Sequence, residues 1–105
     1  MQRGDIWICN FEDEEKKTRP VVILTRDELC EVRKNVTVAI ATHTIRNIPT
    51  EIPVGTDEGL SSSGVINVGD IYTIPKKYLL RKTGQLSAEK LILLHKAIDF
   101  ALGLD

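Results

Sequence analysis

The segment KKTRPVVILT (16–25) sets a cation, Arg19, at the mouth of the most strand-like run in the chain. Pro20 biases the residue before it towards extended backbone, so Arg19 is held in a fixed direction. An arginine in that position is either a solvated charge, paired along a strand edge with Glu14 or Glu15, or a group aimed at something. His43 carries an imidazole, a side-chain type that serves in proton transfer. It follows Thr42 directly, and strand alternation turns the two to opposite faces unless the strand ends or bulges there, so His43 reads as a solvated strand-end histidine, with a catalytic role as the alternative. His95 reads as surface or as part of a helix seat. Cys9 and Cys30 form no C-x-x-C, and no histidine pair has metal-ligand spacing. Two reduced thiols are therefore expected, not a disulfide framework or a zinc site. Cations gather in two connectors, Arg26, Arg33 and Lys34 in one and Lys76, Lys77, Arg81 and Lys82 in the other. Such runs contact phosphates in some proteins and are solvated faces in most. Tyr72 and Tyr78 have the shape to stack on bases or to fill a core, and Trp7 reads as core or dimer interface.

These side chains need a frame, and the pattern of apolar residues supplies one. DIWICNF (5–11) and RPVVILT (19–25) are β-branched and aromatic and read as strands. Four consecutive apolar residues in the second predict a strand covered on both faces. Pro20 cannot donate to a ladder and belongs at the first position of that strand or on an edge. EDEEKKT (12–18) has nothing to bury and reads as a loop. RDELCEVRKN (26–35) is a polar connector with room for one helical turn. VTVAIAT (36–42) is a third strand, with Val36, Val38, Ile40 and Thr42 on one face. Residues 43–64 form a long excursion with a short strand near TEIPV, and excursions of that length are commonly functional or mobile. VINVGDIYTIP (65–75) gives one or two strands with a bulge or bend at Gly69. KKYLLRKTGQL (76–86) reads as a helical turn followed by a strand. The closing helix is the clearest element. Ser87 caps it, Leu91, Leu94, Ile98 and Leu102 form its apolar stripe, and Gly103 stops it.

The chain has 105 residues, 42% of them apolar and 28% charged, which suits one domain over residues 1–105 with one core. A net charge of -1 gives no global attraction to nucleic acid, so any such binding must be local. No stretch has the apolar length of a membrane span, and MQRGDIW enters a strand at once, so a cytoplasmic location with no membrane contact is expected.

Taken in order, RGDIWICNF, TRPVVILTRD, VAIATHT, IPTEIPV, GVINVGDIYTIPKKYL and GQLS, with AIDFALGL at the end, resemble the MazF/PemK (Kid) family of toxin endoribonucleases from type II toxin–antitoxin systems. The likeness runs over nearly the whole chain. It implies a mainly β (α+β) fold: a small SH3-like barrel with a C-terminal α-helix, of the MazF/CcdB kind, working as a homodimer. It further implies metal-independent cutting of single-stranded RNA such as mRNA at short sequences, with no cofactor. The 2'-OH attacks, leaving a 2',3'-cyclic phosphate and a 5'-OH, and a cognate antitoxin peptide neutralises the toxin. The family's catalytic positions fall on Arg19 and Thr42, and no metal ligands are implied.

That chemistry suits those residue types. A pentavalent phosphorane needs donors aimed at its oxygens before the reaction begins. Arginine offers a rigid cationic fork and threonine a hydroxyl. A guanidinium does not readily give up its proton, so electrostatic stabilisation is the role expected of Arg19. Glu14, His43, Thr44, Asp70, Tyr72, Lys76 and Lys77 are the expected supporting or RNA-binding positions. Two departures stand out. EDEEKKT replaces a Gly-Ser-Glu-Gln-like stretch common in relatives, with Glu14 nearest the acidic position. Asp70 and Tyr72 replace a glutamine and a basic residue, so a carboxylate now repels phosphate or accepts from a base amine. The competing reading is a non-catalytic relative or a CcdB-like DNA gyrase poison on the same fold, neither of which needs the Arg19 and Thr42 pair.

Overall fold

The structure is a computed structural model that describes residues 1–12 and 17–105. Glu14, one of the possible supporting positions, and Glu15, the other carboxylate of the competing strand-edge reading of Arg19, lie outside the described residues. The elements run β1 (Asp5–Asn10), β2 (Thr18–Ile23), α1 (Asp27–Cys30), β3 (Asn35–Thr42), β4 (Glu51–Val54), β5 (Gly64–Pro75), β6 (Leu79–Gln85) and α2 (Ala88–Leu102). Short 3-10 turns occupy Thr56–Glu58 and Lys76–Tyr78.

The strands form one antiparallel sheet in the order β4-β5-β3-β2-β1-β6, curled into a half-barrel. Its outermost strands are β4 and β6, and the turn Thr56–Glu58 with Gly59 lies against β6. The run Val21, Val22, Ile23 is fully buried, as a two-faced strand requires. One face carries Ile6, Val22, Ala39, Ala41, Ile52 and Ile66 and receives α2 through Leu94 and Ala97. The other gathers Cys9, Val21, Ile23, Val36, Val38 and Ile74, with Phe11 and Cys30. Both cysteines are free and buried in this second cluster.

Strand β2 begins at Thr18, so Pro20 sits inside it and not at its start. The sheet tolerates this because the β2–β3 ladder begins only at Val21. Strand β5 is one element of 12 residues with an irregularity in its middle. Its pairing with β3 jumps from Ala41↔Ile66 to Ala39↔Ile71, so five residues of β5 advance against two of β3. The surplus holds Gly69, at the expected bulge.

Helix α2 starts where its cap predicts. Ser87 Oγ accepts from the Lys90 N–H at 3.2 Å, and Gly103 adopts φ 68° with its N–H turned back to the Asp99 and Phe100 carbonyls. Its buried face centres on Leu94 and Ala97, with Leu91, Ile98 and Ala101 packed beside them. Leu102 was expected in that stripe and is 57% exposed. At about 100° per residue it falls on the margin of the face, beside a groove that it lines with Leu29 and Ile71. Burial of Leu94 alone is worth about 2 kcal/mol.

Candidate active site

Strand pairing brings Arg19 and Thr42 to the same end of the sheet. The β2–β3 register runs Ile23↔Val38, Val22↔Ala39, Val21↔Ile40. Continued two residues further, it sets Arg19 opposite Thr42. Residues opposite one another in an antiparallel pair share a face. Both line a cleft of about 320 Å³, together with Lys17, Thr18, His43, Ser61 and Ser62. Both also line a second cleft of about 260 Å³, with Thr44, Arg46, Asn67, Asp70 and Tyr72. The pair is therefore the wall common to two depressions.

The first cleft is cationic and rich in hydroxyls. Its described lining contains Lys17 and Arg19 and no carboxylate. Lys17, which sequence reasoning passed over, holds φ 50° where the chain enters β2. The Thr42 Oγ1 accepts from the Thr44 N–H at 3.2 Å, which orients the oxygen and leaves its O–H to donate elsewhere. Gly64 lets β5 start against this corner: a Cβ there would stand 2.4 Å from the Thr42 carbonyl oxygen. The opposite wall is the arch at Leu60, Ser61 and Ser62. It is held from behind, because a Cβ on Gly59 would meet the Thr83 carbonyl oxygen at 2.2 Å and one on Gly84 would meet that of Glu58 at 2.2 Å. The Glu58 carboxylate, nearly fully buried, accepts from Lys90 Nζ at 3.0 Å and from the Gly55 N–H at 2.8 Å. The serine run signalled a loop, and only the folded chain reveals that it shares a cleft with Arg19.

His43 departs from the expected direction. Strand β3 ends at Thr42 and His43 occupies the bend beyond it, so alternation no longer applies and the imidazole lines the first cleft. Its Nδ1 lies 3.0 Å from the Ser63 carbonyl oxygen. With Nδ1–H donating there, Nε2 is the ring's acceptor.

The second cleft is more mixed. The β5 bulge supplies Asn67 and Asp70 to it. Asn67 Oδ1 accepts from Thr50 Oγ1 and from the Gly69 N–H, both at 2.8 Å. Tyr72 is half-buried, edge-on to Phe11 with ring centroids 5.9 Å apart. Arg46 is fixed through its backbone, since the Glu51 carboxylate accepts from the N–H groups of Arg46 and Asn47.

Lys76 and Lys77 are not brought to this site. They follow β5 beside the opposite end of β3, roughly 25 Å from Thr42 along the strand. There the Lys76 N–H bonds the Lys34 carbonyl and its Nζ bonds that of Cys30. His95 is exposed on α2. Burial pushes the Cys9 thiol from its ordinary 9.0 up to about 11, and burial followed by Asp27 raises that of Cys30. No described group of three or more His, Cys, Asp or Glu side chains is arranged to hold a metal ion. No described helix is long and apolar enough to cross a membrane.

The same frame occurs in known proteins. Residues 2–102 match the family described as PemK-like, MazF-like toxin of type II toxin–antitoxin system. Endoribonuclease MazF3 of Mycobacterium tuberculosis is 42% identical over 89 residues, spanning 85% of this chain and 86% of that protein. Endoribonuclease MazF of Staphylococcus epidermidis is 32% identical over 112 residues, spanning 100% and 93%. Among solved structures, Mycobacterium tuberculosis toxin MazF-mt6 superposes with a TM-score of 0.88 at 39% identity, covering 96% of this chain and 98% of that one. An endoribonuclease in complex with its cognate antitoxin, from a mycobacterial species, has a TM-score of 0.88 at 26% identity, covering 100% and 97%. The chain belongs to the PemK-like, MazF-like family of type II toxin–antitoxin toxins.

Proposed function

We propose that this chain is a single-domain toxin endoribonuclease that cuts single-stranded RNA, mRNA in the cell, at short sequences. The observation that carries the reading is the shared wall: Arg19 and Thr42 line both clefts, so a strand crossing from one to the other passes its phosphate over the pair. The named activity of relatives at 42% and 32% identity supports it.

In the reaction, the ribose 2'-oxygen attacks phosphorus and the bond to the 5'-oxygen breaks. The 2'-OH gives up its proton and the leaving 5'-oxygen gains one, so the products are a 2',3'-cyclic phosphate and a 5'-OH. The Arg19 fork donates to the phosphoryl oxygens as their charge rises, and the Thr42 O–H donates to the same group. Lys17 adds positive charge in the same cleft. Neutralisation by these two cations is the basis for reading the reaction as metal-independent. His43, bonded to the Ser63 carbonyl, ties the end of β3 to the serine arch.

The partner reading follows from charge. An antitoxin segment rich in carboxylates would lie across the first cleft and occupy its cations. The complex of the 26% identical endoribonuclease with its cognate antitoxin supports a partner of this kind. Exposed Ile92, Leu93, Phe100 and Leu104 on and after α2 favour a homodimer.

The test is incubation of purified protein with mixed single-stranded RNA in EDTA, followed by mapping of the new ends. Wild type should leave cyclic-phosphate and 5'-OH termini, and Arg19→Ala should leave the RNA intact. Intact RNA with wild type, or equal cutting by the variant, overturns the assignment.

A further inference from the structure

One charge pair is drawn out of water and has no part in the phosphate chemistry. Glu58 is 5% exposed, and its carboxylate accepts from Lys90 Nζ at 3.0 Å and from the Gly55 N–H at 2.8 Å. Lys90 Nζ also donates to the Pro53 carbonyl at 2.8 Å. A single ammonium thus ties three elements together: α2, β4 and the turn Thr56–Glu58. Neither Glu58 nor Lys90 lines either cleft. Burying two charges is a poor route to stability, since an apolar pair of equal volume commonly does as well. What the ion pair has, and an apolar pair lacks, is direction.

Direction matters at the arch. A 3-10 turn of three residues makes poor hydrogen bonds and contributes little to its own placement. Gly59, at φ 91°, and Gly84 bring two bare backbones together, with no side chain from either to interlock. Leu60 packs on the core, and Ser61 and Ser62 line the cleft that Arg19 shares. Ser63 then meets His43, whose Nδ1 lies 3.0 Å from its carbonyl oxygen. Resting on the nuclease reading above, we propose that Glu58 and Lys90 are positioning residues for the reaction. Their tie sets the arch 60–63 across the cleft from Arg19, and through the Ser63 carbonyl it sets the His43 ring.

The chain has two histidines, which give a readout independent of RNA. Nitrogen NMR of the full chain reports the tautomer of each ring. In wild type, His43 should carry its proton on Nδ1, the atom that meets the Ser63 carbonyl. In Lys90→Met it should move towards the Nε2–H form that unrestrained imidazoles prefer, while His95, exposed on α2, stays as it was. The Gly59 and Leu60 amides, bonded to the Thr56 and Gly55 carbonyls, should exchange about tenfold faster, with those of the sheet unchanged. Glu58→Gln keeps an oxygen able to accept from both donors and should hold the wild-type signature. On single-stranded RNA, kcat/KM should fall about tenfold in Lys90→Met and less than about threefold in Glu58→Gln. If Lys90→Met does not fold, Glu58→Asp, which keeps the charge and shortens the reach, takes its place with the same expectations. Wild type that cuts no RNA overturns the nuclease reading alone, because tautomer and exchange are read without substrate. A folded variant with an unchanged tautomer, exchange that quickens evenly through the sheet, or undiminished cleavage beside an active wild type overturns this proposal. So does a Glu58→Gln variant as impaired as Lys90→Met.

Discussion

Thr42→Val is the sharpest probe of the shared wall, because it removes one oxygen and little else. Valine has the shape of threonine and is at home in a strand. Thr42 is half-buried at the last position of β3, and the bond that its Oγ1 accepts from Thr44 is 3.2 Å long and exposed to water. Solvent replaces that bond, so stability should move by no more than about 0.5 kcal/mol. The reaction should suffer far more. A donor aimed at the phosphorane is worth about 3 kcal/mol, roughly a hundredfold in rate. Arg19→Lys keeps the charge but loses the fork, and a similar loss is expected. If both side chains grip one phosphoryl group, the double variant should fall short of the roughly ten-thousandfold loss that independent sites would give. Single-turnover rates on a short fluorogenic RNA, with melts of each variant, measure all of this. Thr42→Val within threefold of wild type, with an unchanged melt, removes the hydroxyl from the chemistry. Fully multiplicative losses would separate the two residues into different sites.

Two further outcomes follow from the same geometry. Glutamine at position 43 can still donate to the Ser63 carbonyl, so His43→Gln should keep cleavage within about tenfold; a hundredfold loss together with a vanished limb of the pH profile would make the imidazole a proton-transfer group. The Cys9 thiol is raised from 9.0 to about 11 in the fold, so its contribution to stability is complete below about pH 9 and is lost as pH rises towards 11. Denaturant midpoints at pH 8 and pH 10.5 should therefore fall less for Cys9→Ala than for wild type, and an equal fall in both would refute the account.

The strands were readable because their burial is simple. Val21, Val22 and Ile23 are covered on both faces, and a run of β-branched residues states that directly. Helix α2 was readable because Ser87 and Gly103 are local signals whose geometry is set within a few residues. Arg19 and Thr42 stand 23 positions apart in sequence, and no local pattern joins them; an ordered set of family-like segments did. The second cleft was only half readable. Asp70 and Tyr72 stood out as departures from that family, but Asn67 lies in a run that looks like ordinary strand. It reaches the cleft only through the extra residues of the β5 bulge, a property of two-strand register. The direction of His43 hinged on where β3 stops: alternation turns it from Thr42 only if the strand continues, and β3 ends at Thr42. Lys76 and Lys77 resembled a phosphate contact by charge alone, and charge carries no information on which end of the sheet a residue occupies.

The backbone contacts at Gly59 and Gly64 bear on how such a toxin can diversify. Between them residues 60–63 form a short arch, tied by the Leu60 N–H to the Gly55 carbonyl and by the Ser63 carbonyl to His43, as a bridge rests on two piers. A span so brief has little slack, so inserting residues there would buckle outward without disturbing the footings on β6 and β3. Swapping the side chains of the span, in contrast, would repaint one bank of the channel while leaving Arg19 and Thr42, the proposed catalytic pair, untouched. On the proposed nuclease reading, point changes at the arch would alter what lies opposite Arg19 at small cost to the sheet.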